Sequence, residues 1–122
     1  MQMVNKPKIQ GTRFETQTKE LLQSWGYKAY RLAEGGMADE GDVQVELPEE
    51  MIFECKARQA LNIHQTYAKA KEKAGSKPLV LAWKKLLRKG NNKKRTADGV
   101  PTLYIVDEEL LKELLSGYKR QT

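Results

Sequence analysis

Two short stretches of alternating apolar and polar residues, joined by a brief turn, constrain this chain more than any other feature. Gly41-Asp42-Val43-Gln44-Val45-Glu46 and Met51-Ile52-Phe53-Glu54-Cys55-Lys56-Ala57 each read as a half-buried β-strand. The intervening Leu47-Pro48-Glu49-Glu50 is short enough to close them into a hairpin. Successive strand side chains point to opposite faces, so Asp42, Gln44 and Glu46 share one face and Val43 and Val45 the other. On the second strand Glu54 and Lys56 go with Ile52, while Phe53, Cys55 and Ala57 lie opposite. A hairpin closing about Pro48-Glu49 sets Asp42 across from Glu54 to Lys56. Directly opposed residues in such a pair have Cβ atoms about 4.5–5.5 Å apart. Two carboxylates and one ammonium therefore converge on one patch of sheet.

That trio suits metal-assisted phosphate chemistry. Mg²⁺ is a hard ion that takes one or two carboxylates, keeps several waters and completes its shell with phosphate oxygens. Asp42 and Glu54 are the expected metal ligands, with Mn²⁺ as an expected substitute. A lysine beside such an ion holds or deprotonates the attacking water, or neutralises charge on the transition state. Lys56 takes that place here. The pattern alone leaves a plainer alternative open, a solvated hairpin face whose Glu/Lys pair contributes little.

The order of a helix with an early Glu, a Gly-rich loop, an Asp and then Glu-x-Lys resembles the PD-(D/E)XK nuclease superfamily. Within it the chain is most similar to the archaeal and phage Holliday junction resolvases. The resemblance runs from about Gly11 to Trp83, more than half of the chain. It implies a restriction-endonuclease-like fold with Glu15 as the acid of the first helix, Asp42 and Glu54 as metal-binding acids and Lys56 as the catalytic lysine. It departs from the family at Gly41, where many members carry proline. The expected activity is Mg²⁺-dependent, structure-selective cleavage of four-way DNA junctions. Alternatives are a repair or restriction-like nuclease acting on duplex, nicked or flap DNA, and a DNA-binding module without chemistry.

Composition fits one small enzyme. A chain of 122 residues with 39% hydrophobic and 31% charged residues can build one core and is not of disordered type. The net charge of +6 favours a polyanionic partner. One cysteine excludes an internal disulfide, as expected in a reducing cytosol, and Cys55 should be a buried thiol. A single histidine beside it argues against a structural zinc site. His64 reads as a surface or packing residue. No apolar run approaches the ~20 residues of a membrane span, and the first ten residues have no signal-peptide core, so a cytoplasmic protein of a prokaryote or phage-infected host is expected.

The remaining elements complete a single α/β domain with a central mixed sheet flanked by helices, in the order αβββαββα. Phe14, Thr18, Leu21, Leu22 and Trp25 recur at helical spacing over 12–25, ended by Gly26. A first strand is expected over 27–33, a Gly-rich loop with Gly35 and Gly36 over 34–40, and a second helix over 61–74 closed by Gly75. An interior strand over 78–84 and a fifth over 100–106 follow. Asp107 can cap a last helix striped by Leu110, Leu111, Leu114, Leu115 and Tyr118. Thr12-Arg13-Phe14-Glu15 also fits a capping box, which gives Glu15 a structural alternative to its catalytic one.

Two basic regions are candidate phosphate contacts. The first is a loop or arm over 84–99, in which Lys84, Lys85, Arg88, Lys89, Lys93, Lys94 and Arg95 occur without an acid up to Arg95. The second is an N-terminal tail over 1–10 with Lys6 and Lys8, followed by Arg13. Arg31, Gln65 and Lys69 are further candidates, and the resemblance places the second helix beside the active site. Paired cuts in a four-way junction call for two sites related by two-fold symmetry, so a homodimer is expected. Its surface is sought on the last helix or the strand from Pro78.

Overall fold

The hairpin forms in the expected register. The structure, a computed structural model, describes residues 6–32, 42–46, 50–87 and 99–121, with the side chains of 6–11, 42 and 118–121 outside that description. Five strands, β1 (Lys28–Arg31), β2 (Asp42–Glu46), β3 (Met51–Arg58), β4 (Leu79–Lys85) and β5 (Leu103–Ile105), lie side by side in chain order. Asp42 pairs with Glu54 and Val43 with Phe53 across β2 and β3. All neighbours are antiparallel except β3 and β4, which run parallel. A parallel pair needs a crossover, and α2 (Ile63–Ala74) supplies it. With α1 (Lys6–Ser24) and α3 (Glu108–Gln121) the described residues form one α/β domain, a mixed sheet flanked by three helices.

Alternation divides the core between the two faces of the sheet. Phe14 and Leu22 of α1 pack on Ala29, Val43, Val45, Cys55 and Ala82. Ile52 and Leu79 meet Ala70 of α2 on the other face, with Tyr67 and Ala74. Cys55 is a buried thiol, as its position requires, with Sγ 3.5 Å from Thr18 Oγ1. The helix ends follow local chemistry. Gly26 (φ 95°) and Gly75 (φ 66°) take the left-handed region where α1 and α2 stop. The Tyr27 N–H donates to the Leu22 carbonyl at 3.1 Å across the first of these, a Schellman closure. Asp107 caps α3 by accepting from the Leu110 N–H at 2.8 Å.

Three expectations need correction. The first helix begins at Lys6 rather than Thr12, so Lys6 and Lys8 are helical and not part of a free tail. Pro7 falls in the first turn, where an N–H has no helical acceptor and its absence costs nothing. Thr12 is thus an interior residue and no N-cap. Trp25 lies past the end of α1 and is exposed, outside the core stripe. β4 takes in Lys84, as the expected strand over 78–84 does, and runs one residue further to Lys85, so both belong to the sheet and the basic arm cannot begin at 84. Among the described residues no helix is long and apolar enough to cross a membrane.

Candidate active site

Burial makes the Glu54–Lys56 pair more than a surface contact. β3 turns both side chains to the face covered by α2, and Glu54 is only 5% exposed. A carboxylate removed from water needs compensating charge or hydrogen bonds. Lys56 Nζ lies 3.2 Å from Glu54 Oε1, with the Lys56 side chain only 13% exposed. Lys73 on α2 brings a second ammonium, its Nζ 3.5 Å from Oε2, on a side chain 45% exposed. One carboxylate thus sits between two ammonium groups, one held in the wall and one reaching in from solvent. The hairpin register sets the Asp42 backbone directly across from Glu54, and its side chain lies outside the described residues.

This pair forms the wall of a cavity of about 390 Å³ between β3 and α2, lined along the helix from Asn62 to Lys73. Lys56, Arg58, Lys69 and Lys73 line it together with Glu54, so among the described residues four cations meet one acid. Gln65 lines it too, as does Asn62, whose Oδ1 caps α2 by accepting from the Gln65 N–H at 3.1 Å. The partial positive charge of a helix N-terminus adds to the cationic field. Beside the cavity, nearly buried Gln44 donates to the Tyr30 hydroxyl and accepts from Lys77 Nζ at 3.1 Å. These bonds fix the β2 side chain next along from Asp42 on the same strand face.

Glu15 is neither a helix cap nor exposed. It sits in the interior of α1, 2% exposed, and Arg31 Nε and Nη2 approach its Oε1 at 3.2 and 3.1 Å. Phe14 and Thr18 place α1 on the Cys55 face, opposite the face that carries Glu54. The Glu15–Arg31 pair nevertheless lies at the Asp42 end of the sheet, because Arg31 registers with Val43. Arg31, expected on DNA, is engaged with this acid.

The other expected contacts are spread out. Gln65 and Lys69 join Lys56 at the cavity. Lys84 Nζ meets Gln17 Oε1 at 3.1 Å on the α1 side. Lys85 Nζ stands 5.7 Å from the centroid of the Trp83 ring, a cation–π distance, and its strand position registers with Arg58. Arg13 is exposed on α1, and the side chains of Lys6 and Lys8 lie outside the described residues. Arg88, Lys89, Lys93, Lys94 and Arg95 are also outside them. His64 is exposed, as expected. Sequence reasoning missed Arg58 and Lys73, though each carries a signal. Arg58 follows Lys56 at strand period two, and Lys73 extends the Gln65–Lys69 line at helical i, i+4 spacing.

Among the described residues no group of three or more His, Cys, Asp or Glu side chains gathers as a metal cage. No protein-family model matches the chain, nor does any curated protein or solved structure.

Proposed function

We propose that the chain is a Mg²⁺-dependent endodeoxyribonuclease of restriction-endonuclease-like fold. It acts as a homodimer on four-way DNA junctions and makes paired cuts. The observation that carries this reading is the buried Glu54, bridged to Lys56 in the wall of a cationic cavity and registered with Asp42.

The donor set fits a hard divalent ion that keeps much of its water. Glu54 lines an open cavity, its Oε2 shared with the half-exposed Lys73 that an ion would displace, and the Asp42 backbone stands opposite it in the hairpin. These two residues would hold Mg²⁺, which when bound supplies Lewis-acid activation of water and phosphate. The chain's own groups do the rest. A phosphodiester carries one negative charge, and Lys69, Arg58 and Lys73 draw it into the cavity. Lys56 has little freedom to move and keeps its ammonium beside Glu54, where it stabilises charge as it builds on the phosphoryl oxygens. Gln65 donates to or accepts from the bound strand without altering the charge balance. Glu15 and Arg31 brace α1 against the Asp42 end of the sheet and so position the first acid.

The test is a panel of labelled four-way, flap, nicked and linear DNAs incubated with pure protein and Mg²⁺. Preferential cutting of the four-way junction in two opposed strands is expected. Cutting of linear duplex at an equal rate refutes the junction assignment, and no cutting of any substrate refutes the nuclease.

A further inference from the structure

Both carboxylate oxygens of Glu54 face an ammonium. Lys56 Nζ stands 3.2 Å from Oε1 and Lys73 Nζ 3.5 Å from Oε2. The two are not held alike. The Lys56 side chain, 13% exposed, rises from β3 inside the wall of the cavity. Lys73 sits in the last turn of α2 with a side chain 45% exposed, on a flexible four-carbon stem. The carbonyls that end α2 carry partial negative charge, which offers the Lys73 ammonium a second favourable place near by. Lys56 is therefore fixed and Lys73 exchangeable.

Competition for Oε2 follows from charge and space. A divalent cation and an ammonium at contact distance from one oxygen repel each other. The cavity lined by Glu54 and Lys73 measures about 390 Å³. Each water claims about 30 Å³ in the liquid, so a hydrated ion and a withdrawn ammonium fit in it together. Lys73 has a use where it stands, because Glu54 is nearly buried and the ammonium offsets the cost of keeping its charge there. A half-exposed ion pair shifts an equilibrium by up to about fivefold, so the exchange lowers ion affinity without blocking it.

We propose that Lys73 is the exchangeable counter-ion of Glu54, yielding Oε2 to a divalent cation and so setting the ion concentration at which the site fills. This rests on the reading of Glu54 as a metal ligand, and its test uses no DNA. Manganese(II) chloride is titrated into the full chain, and unbound Mn²⁺ is counted by its electron paramagnetic resonance signal. Lys73→Met should lower the dissociation constant about fivefold. Lys73→Arg, which keeps the charge, should leave it within about twofold of the parent's. Lys69→Met removes an exposed, screened cation of the same cavity and should change it by less than about twofold. A second readout needs no variant. Acetylation by a water-soluble succinimidyl ester, followed by mass spectrometry, should speed up at Lys73 in saturating Mn²⁺ and not at Lys69. No Mn²⁺ binding by the parent or by Lys73→Met overturns the metal site itself, and the exchange with it. Ion binding that Lys73→Met tightens no more than Lys69→Met, or labelling of Lys73 unmoved by Mn²⁺, overturns the exchange and leaves the metal site standing.

Discussion

Replacing Glu54 with glutamine keeps the side-chain shape and removes the charge that two lysines share. At the Glu54–Lys56 distance of 3.2 Å the Coulomb attraction is about 1.3 kcal/mol in water and about 5 kcal/mol at an effective dielectric constant of ~20. Lys56 is mostly enclosed, so the relevant figure lies towards the upper end, whereas half-exposed Lys73 contributes at most about 1 kcal/mol. Removing one partner of a buried pair typically costs about 3–5 kcal/mol, because the other charge stays behind. Some water still reaches Lys56, and about 3 kcal/mol is the expected loss for Glu54→Gln. For a chain of this size that is a fall in Tm of about 12 °C. Adding Lys56→Met should recover much of it, with a coupling of about 2 kcal/mol between the two positions. Urea unfolding of the two single variants, the double variant and the parent measures this cycle directly. A coupling below about 0.5 kcal/mol, the value of an exposed pair, would refute the reasoning.

Glu15→Ala should cost about 3 kcal/mol for the same reason, since Arg31 loses its buried acid. Thr12→Ala should cost next to nothing in an exposed helix interior, whereas a working capping box would make the two losses alike. Asp107 gives a pH signature. Its bond from the Leu110 N–H, more than any other contact, holds its pKa below the ordinary 3.8, so its stabilisation is complete above that value and fades as pH falls through the lower folded one. Asp107→Asn keeps a good cap, and its melting temperature should decline less than the parent's below about pH 4. Lys69→Gln and Lys73→Gln should each flatten the salt dependence of duplex binding by about 0.9 in the log–log slope. The same should hold for each of Lys89, Lys93, Lys94 and Arg95 that touches phosphate, and an unchanged slope in potassium chloride titrations removes that residue from the interface.

The hairpin was legible because period two fixes both faces once the turn is placed, and the turn was marked by Pro48. Asp42 consequently registers with Glu54 as expected. The burial of the pair was not legible. It depends on α2 crossing the β3 face, a tertiary fact that no local pattern contains. Thr12 mimics a cap and masks the true start of the first helix at Lys6, where Pro7, within the expected tail, is compatible with a first turn. The same slip made Glu15 resemble a capping residue, when its partner is sixteen positions away on another element. Charge groups Lys84 and Lys85 with the basic arm, although Lys84 also closes the expected strand over 78–84 and pairing with Ala57 and Arg58 carries both on the sheet. Leucine spacing marks the stripe of α3 but cannot show that Leu111, Leu114 and Leu115 face outward.

The central claim is that Glu54, Lys56 and Asp42 form a cutting centre and not merely a binding surface. The most direct measurement compares junction cleavage and junction binding for Glu54→Gln and Asp42→Asn against the parent in Mg²⁺. Cleavage should vanish in both variants, because a neutral amide cannot supply the ligand charge, while affinity persists or rises as repulsion of phosphate is relieved. Near-parental cleavage by both variants would contradict the account.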